Sequence, residues 1–185
     1  MHYNASALRE RVEVLELAAV EGGWAWESVR RTWAGAELTD RTNLFSEVGI
    51  GARDVRLVLR RQNLTLHNAL RWKGQHLLLT SIVENIPGWL DVQAALVEPA
   101  ACRGNVHRGE NGPTFPGVLT EKYLRHEQDH PMATTTVCYV LVTPKAVELA
   151  PGGLVDVAGE PYVVQIAHTL DSWKNEYEIW RKSDL

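Results

Sequence analysis

Two histidines at helical spacing are the residues whose types and positions come nearest to a metal site. His126 and His130 lie four residues apart, with Glu127 and Asp129 between them. On a helix spanning Val118–His130, both imidazoles would share one face and could bind a single Zn²⁺ ion. No third ligand follows at a recognisable spacing, and a solvated helix face explains the same pattern. We therefore predict no metal site and no cofactor.

Other candidate catalytic groups are equally isolated. The sequence contains no nucleophile elbow, phosphate-binding glycine loop or HExxH motif. Carboxylates recur at strand spacing, which would place them on one exposed sheet face: Asp156 with Glu160, and Glu176 with Glu178. His168 lies at a predicted strand end and has no identifiable partner. The residue types and spacings argue against an enzyme.

Composition and charge set broad limits on class and partners. The chain has 185 residues, 45% of them hydrophobic, and no apolar run near the ~20 residues that span a bilayer. Residues 1–98 carry 11 basic and 12 acidic side chains, and residues 99–185 carry 8 and 11, which gives −1 and −3. Neither half has the basic excess of a nucleic-acid clamp. Cys102 and Cys138, a linker thiol and a small core residue, favour reduced thiols and a soluble intracellular protein without membrane association.

The stretch from Asp54 to Val97 organises the chain. Its apolar residues alternate with polar ones in four successive segments, the pattern of half-buried antiparallel strands. Lys73-Gly74 lies between two of these segments and supplies the positive φ that a two-residue hairpin turn requires. The break at Asn85–Gly88 separates the last two segments.

A similar plan returns near the C-terminus and indicates a duplication. Three pairs of matching residues mark the two copies. Ile82 and Ile166 are separated by the same number of residues as Trp89 and Trp173. Gly74 and Gly159 are one residue further apart. One single-residue shift therefore reconciles the three landmarks. The segments predicted to form this second copy are TTVCYVLVT, KAVEL, GLVDVAGEPYVVQIA and KNEYEIWRK. We predict two copies of one small β unit.

The N-terminal region predicts a hairpin followed by a long connection. Glu10–Leu17 and Trp24–Leu38 alternate as strands around a Gly-Gly turn, with a β-bulge between Trp26 and Val29. Thr39–Ala52 then breaks the pattern while retaining apolar residues. This connection is either a turn packed on the unit or a protrusion that docks elsewhere.

These segments predict a mainly β protein with two small β-barrel or β-sandwich units in tandem. The predicted domains are residues 1–98 and residues 118–185, joined by a Gly/Pro-rich linker at residues 99–117. One short helix is predicted after the linker, from Val118 to His130.

Seven tryptophans exceed what two small cores bury easily. Because aromatic anchors concentrate at protein interfaces, we predict that Trp24, Trp26 and Trp180 face a neighbour. A run of arginines (Arg53, Arg56, Arg60 and Arg61) alternates with apolar residues and indicates a solvated strand face or an ion pair between subunits.

The order of features over residues 8–98 resembles the small head–tail joining proteins of tailed bacteriophages, also called head-closure, stopper or neck proteins. The resemblance rests on Trp33-Ala34 in the second strand, on Arg56 and Arg60 after the loop, and on Gly74 followed by a run beginning at His76. It implies a β-barrel subunit of a ring in the virion, made in the bacterial host cytoplasm.

The same resemblance implies the partners and a gating loop. Such a ring lies between the portal–adaptor proteins and the tail or tail-terminator proteins, and packaged DNA passes through its lumen without specific binding. By position alone, the loop after the second strand makes Arg41, Asn43, Leu44 and Phe45 the candidate channel residues. The second unit departs from the usual single-domain pattern, which leaves an adaptor or tail-completion position open.

An alternative from a different class is a binding module. Two tandem OB- or SH3-like barrels with interleaved arginine and aromatic residues suit a peptide or a single-stranded nucleic acid. The net charge of −4 weighs against the nucleic acid.

Overall fold

The computed structural model describes residues 3–42, 53–104, 112–122 and 138–184. In this part of the chain the protein is mainly β, as predicted. The chain divides into two compact units, and the boundary falls between Pro99 and Ala100.

The described part of the first unit contains six strands and a 3-10 turn at Ala5–Ala7. The strands are β1 (Glu10–Val20), β2 (Gly23–Thr42), β3 (Arg53–Arg60), β4 (Ala69–Trp72), β5 (Gln75–Ile86) and β6 (Trp89–Val97). All their pairings are antiparallel. β1 pairs with β4, β4 with β5, β5 with β6, β6 with β3, and β3 with β2. β2 pairs in turn with β1, so the series of pairings returns to its first strand.

The second unit also contains six described strands, followed by a 3-10 turn at Lys182–Asp184. The strands are β7 (Ala100–Gly104), β8 (Thr114–Lys122), β9 (Cys138–Pro144), β10 (Leu154–Val157), β11 (Glu160–His168) and β12 (Lys174–Arg181). β7 pairs with β10, β10 with β11, β11 with β12, β12 with β9, and β9 with β8. β8 pairs with β7. In both units, therefore, the order is first, fourth, fifth, sixth, third, second strand, then the first again.

The last three strands of the two units correspond at a constant offset in sequence. β10, β11 and β12 begin at the same distance along the chain from the starts of β4, β5 and β6, and this distance equals the offset of Gly159 from Gly74. Thr80 in β5 and Gln165 in β11 are the extra residues of two β-bulges, and the same offset separates them. The single-residue shift inferred from sequence is therefore unnecessary, because Trp89 corresponds to Lys174 rather than to Trp173.

Alternation places one face of each strand in the core of the first unit. On β3, Val55, Leu57 and Leu59 are fully buried, whereas Arg56 and Arg60 point to the opposite face. The predicted bulge in β2 is confirmed at Val29, because Val14 pairs with Arg30 and Leu15 pairs with Ser28.

Several predicted boundaries differ from the structure. Thr39–Thr42, predicted to begin the loop, continue β2. Residues 100–104 and 114–117, predicted to be linker, belong to the paired strands β7 and β8. The predicted helix is wrong at its start, since Val118–Lys122 is strand. Its apolar residues have backbone partners in β9, which a local spacing rule could not reveal.

The segment Lys145–Leu149 was also predicted to be a strand and is irregular. Its buried side chains Val147 and Leu149 follow a period of two, which explains the prediction. Side chains replace the missing ladder bonds. Asn175 donates to the carbonyl of Val147 (2.8 Å), and the Tyr177 hydroxyl donates to the same oxygen (2.9 Å).

The predicted turn at Lys73-Gly74 is confirmed, and the second unit repeats it. Lys73 and Gly74 have φ of 51° and 80°, and Ala158 and Gly159 have φ of 53° and 91°. Two positive φ angles in a two-residue hairpin match the right-handed twist of the strands.

Ala158 is strained in this turn because its Cβ lies close to the following carbonyl in the left-handed region. We expect Ala158→Gly to raise the free energy of unfolding by about 0.5–1 kcal/mol, measured by chemical denaturation. The matched control is Ala167→Gly in β11, which should lower it by a similar amount because extended backbone gains nothing from glycine. An equal decrease in the free energy of unfolding for both variants would show that Ala158 is not strained.

Candidate interaction surface

The predicted channel residues fall mostly outside the described part of the chain. Asn43, Leu44 and Phe45 lie outside the described residues, as do His126 and His130. Arg41 is part of β2, but its side chain also lies outside the description. The gating role assigned to these residues stays a prediction.

The predicted interface tryptophans are all half-buried. Trp24 and Trp26 lie on the β1–β2 hairpin of the first unit, and Trp180 lies on β12 of the second. The Trp26 ring packs against the imidazole of His76, with 5.6 Å between ring centroids. Part of each indole therefore remains accessible, and another part of the Trp26 ring packs within its own unit.

More exposed tryptophans lie at positions that were not predicted to face a neighbour. Trp33 is 54% exposed and Trp173 is 39% exposed, whereas Trp72 and Trp89 are buried. The Arg11 guanidinium lies 5.8 Å from the Trp33 ring centroid. Strand alternation contained the signal for Trp33, because its neighbour Ala34 belongs to the core face.

The arginine run does not form a single free stripe. Arg56 binds Asp91 through two hydrogen bonds, with the Nε–Oδ1 distance at 2.9 Å and a second contact from Nη2 to Oδ2. Tyr3 and Asn85 also donate to Oδ2 of Asp91, at 3.0 and 3.4 Å. The hydrogen bonds from Arg56, with the added donation from Tyr3, hold the pKa of Asp91 below its usual value despite burial. Asp91 is 8% exposed.

Arg60 and Trp89 form the second part of this cluster. The Arg60 guanidinium lies 4.0 Å above the Trp89 ring, and the Tyr3 ring meets Trp89 edge-on at 6.2 Å. Trp89 and Asp91 alternate with core residues along β6, so both lie on the outer face of their strand. Tyr3, Arg56, Arg60, Trp89 and Asp91 together constitute what we call the Tyr3–Asp91 cluster.

The N-terminal segment covers this outer face, and no local sequence pattern predicts that contact. Besides the contacts of Tyr3, the carbonyl oxygen of Ala7 lies 3.0 Å from the position that a Cβ on Gly35 would occupy. Gly35 pairs with Val58, whose outward-facing side chain is buried. A glycine in β2 therefore permits the close approach of the segment.

His76 is a buried titratable group with an unpartnered nitrogen. It is 8% exposed, and its Nε2 has no hydrogen-bond partner among the described residues. Burial, with a smaller contribution from the positive charge of Arg71, lowers the pKa of His76 to about 4. The imidazole is therefore neutral beside Trp26 near neutral pH.

The remaining chemically capable groups take part in local contacts. Nε2 of His168 lies within hydrogen-bond distance of Oε1 of Glu178 (3.1 Å), and Lys174 forms an ion pair with Glu176 at 3.6 Å. Glu176 and Glu178 are half-buried rather than exposed, and burial raises the pKa of Glu176.

Both thiols are buried, and the described residues contain no cluster of possible metal ligands. Cys102 lies buried in β7 rather than in a linker, and burial raises the pKa of its thiol to about 12. Cys138 is buried at the start of β9. Within residues 3–42, 53–104, 112–122 and 138–184, no group of three or more His, Cys, Asp or Glu side chains could hold a metal ion.

Among the described residues, no helix is both long and apolar enough to cross a membrane. No protein-family model, curated protein or solved structure matches this chain.

The Arg56–Asp91 contact should contribute more to stability than the exposed pair between Arg61 and Glu84, which are 3.5 Å apart. We expect Arg56→Met to lower the free energy of unfolding by about 2 kcal/mol, because it leaves a buried carboxylate with weaker partners. Arg61→Met is the control and should cost less than about 1 kcal/mol. Equal costs in denaturant unfolding would contradict this ranking.

His76 should make the first unit sensitive to acid. The folded pKa of His76, about 4, lies below the ordinary value of 6.5, so the unfolded chain binds a proton more readily than the folded chain. The stability that the neutral imidazole provides is therefore complete above pH 6.5 and is lost as the pH falls towards 4. Over that range we expect a loss of about 3 kcal/mol in unfolding free energy.

Chemical denaturation at a series of pH values measures this dependence. His76→Phe keeps a ring beside Trp26 but cannot titrate, so its stability should vary less between pH 6.5 and 4. His67→Phe, at an exposed position, is the matched control and should retain the wild-type dependence. An unchanged pH profile in His76→Phe would rule out His76 as the source.

Proposed function

We propose that this chain is a structural subunit of the neck of a tailed phage or prophage. In this role it forms a ring, a head-closure or head–tail connector, that links the portal–adaptor assembly to the tail and helps retain packaged DNA. The observation that carries the proposal is the six-strand pairing order, which returns to its first strand and occurs in both units. The sequence resemblance over residues 8–98 supplies the link to neck proteins.

In this proposal each closed series of pairings is a small β-barrel, and the second barrel arose by duplication of the first. Closure supports the barrel interpretation because every strand then has partners on both sides. The constant offset between the last three strands of the two units supports the duplication. The second barrel extends the collar or contacts the tail.

The charge of the chain suits a conduit for DNA. A ring through which DNA slides gains nothing from strong phosphate binding, which would retard the polymer. The net charge of −4 is consistent with passage through the lumen without specific binding. The proposal includes no catalytic step, and it places the protein in the virion after synthesis in the host cytoplasm.

One observation favours the alternative, a tandem binding module for a peptide or single-stranded nucleic acid. Trp33 is 54% exposed beside the Arg11 guanidinium, an arrangement on which a base could stack. Oligonucleotide binding that weakens steeply with salt would favour this alternative over a ring subunit.

The mass of the purified protein in solution tests the proposal. We expect light scattering to detect a ring-sized species, either in a concentration series of the protein alone or only after addition of the portal–adaptor complex of the same phage. Each unit is small and gains stability by assembly, which favours the larger species at high concentration. A monomer at every concentration that also ignores the complex would contradict the proposal.

A further inference from the structure

The β1–β2 hairpin extends beyond the strands that pair with it. β1 pairs with β4 only from Val12 to Leu15, whereas its pairing with β2 continues from Glu16–Glu27 to Val20–Gly23. We call residues 16–27 the ribbon. Among the described strands, the edge of β1 along Glu16–Val20 that faces away from β2 has no partner. Such an edge can accept another chain.

The ribbon carries an unfavourable pair of like charges. Glu16 and Glu27 are directly opposite each other in the register, and both are exposed. Among the described residues, neither carboxylate has a basic side chain within ion-pair distance. Glu21 adds a third exposed carboxylate at the turn. Like charges opposite each other in a sheet are destabilising, so within one copy this arrangement costs stability.

Exposed arginines lie at another margin of the same unit. Arg31 and Arg61 have side chains that are 65% and 70% exposed, and Arg60 is exposed above Trp89. Hydrogen bonds from Gln62 to Thr32 (3.3 Å) and from Arg30 to Gln62 (3.2 Å) join the segment after β3 to the middle of β2 here. We call Arg31, Arg60 and Arg61 the arginine margin.

The described partners of these arginines leave them available. Arg31 contacts Glu13 at 3.0 Å, and Arg61 contacts Glu84 at 3.5 Å. Exposed ion pairs of this kind contribute little to stability, so each guanidinium can donate to a further carboxylate at low cost. One unit therefore presents an acidic strand edge and a separate basic margin.

We propose that the ribbon of one copy docks on the arginine margin of a second copy of this chain. The inference rests on the proposed ring and names the contact that would form it. The two surfaces differ, so the contact is head-to-tail, the type that generates a closed ring when the rotation closes. Docking would pair the carboxylates of Glu16 and Glu27 with arginines of the neighbouring copy.

Reciprocal charge reversal tests this contact. The first variant, Glu16→Arg with Glu27→Arg, has a basic ribbon and a basic margin. The second variant, Arg60→Glu with Arg61→Glu, has an acidic ribbon and an acidic margin. Each variant alone should associate at least about tenfold more weakly than wild type, because juxtaposed like charges oppose docking. An equimolar mixture should recover assembly, since each ribbon then meets a margin of opposite charge.

A further variant separates docking from folding. Glu16→Gln with Glu27→Gln removes the repulsion within the ribbon, so thermal unfolding of the monomer should occur at a higher temperature while assembly weakens. The control is Glu37→Arg, at an exposed glutamate on β2 outside the ribbon, which should assemble as wild type does. Near-ultraviolet circular dichroism establishes that each variant is folded.

The outcomes distinguish this inference from the proposed function. Mass is measured by light scattering under the condition that assembles wild type, alone or with the portal–adaptor complex. Wild-type assembly that neither charge reversal weakens, or a mixture that stays monomeric, overturns the ribbon contact and leaves the ring intact. A wild-type chain that never assembles overturns both.

Discussion

Pairing of every strand edge is the constraint on which the rest of this structure depends. A strand with an unpaired edge leaves backbone donors and acceptors exposed and invites pairing with other chains. In each unit the order of pairing returns to its first strand, so each described strand pairs on both sides. In the first unit, alternate side chains form the aliphatic cluster around Leu57, Leu70 and Val92. The ribbon is where one edge of β1 departs from this rule, and there we propose a partner.

The two units use the same pairing but fill equivalent positions differently. Leu90 and Val92 of β6 correspond, at the offset that relates the two units, to Asn175 and Tyr177 of β12. The two polar residues are almost fully buried, and their hydrogen bonds fix the irregular segment around Val147. A buried polar group is tolerated only when its partners are present, so this segment and these two side chains depend on each other. The second unit thus has the same pairing order as the first, with a hydrogen-bond network where the first has apolar packing.

Local sequence signals predicted much of this architecture. Alternation around Leu57 and the glycine at position 74 are short-range features, and both the strand and its turn are confirmed. Two of the predictions were wrong for opposite reasons. The helix prediction missed a strand at Val118–Lys122, because the composition of this segment does not reveal its partner β9. The strand prediction for Lys145–Leu149 followed an alternation that is present, but the segment forms no ladder with the described strands. The contacts of Tyr3 with Asp91 join residues 88 positions apart, so no local pattern contains them. The arginine run was visible in the sequence, but the division of its members between Asp91, Trp89 and Glu84 depended on the fold.

Electron microscopy of the chain mixed with its portal–adaptor complex would test the central claim most directly. We expect an added ring of density, rotationally symmetric and open along its axis, at the tail-facing end of the complex. Class averages that show the portal–adaptor particle alone, at protein concentrations well above those of the complex, would contradict a neck-ring function.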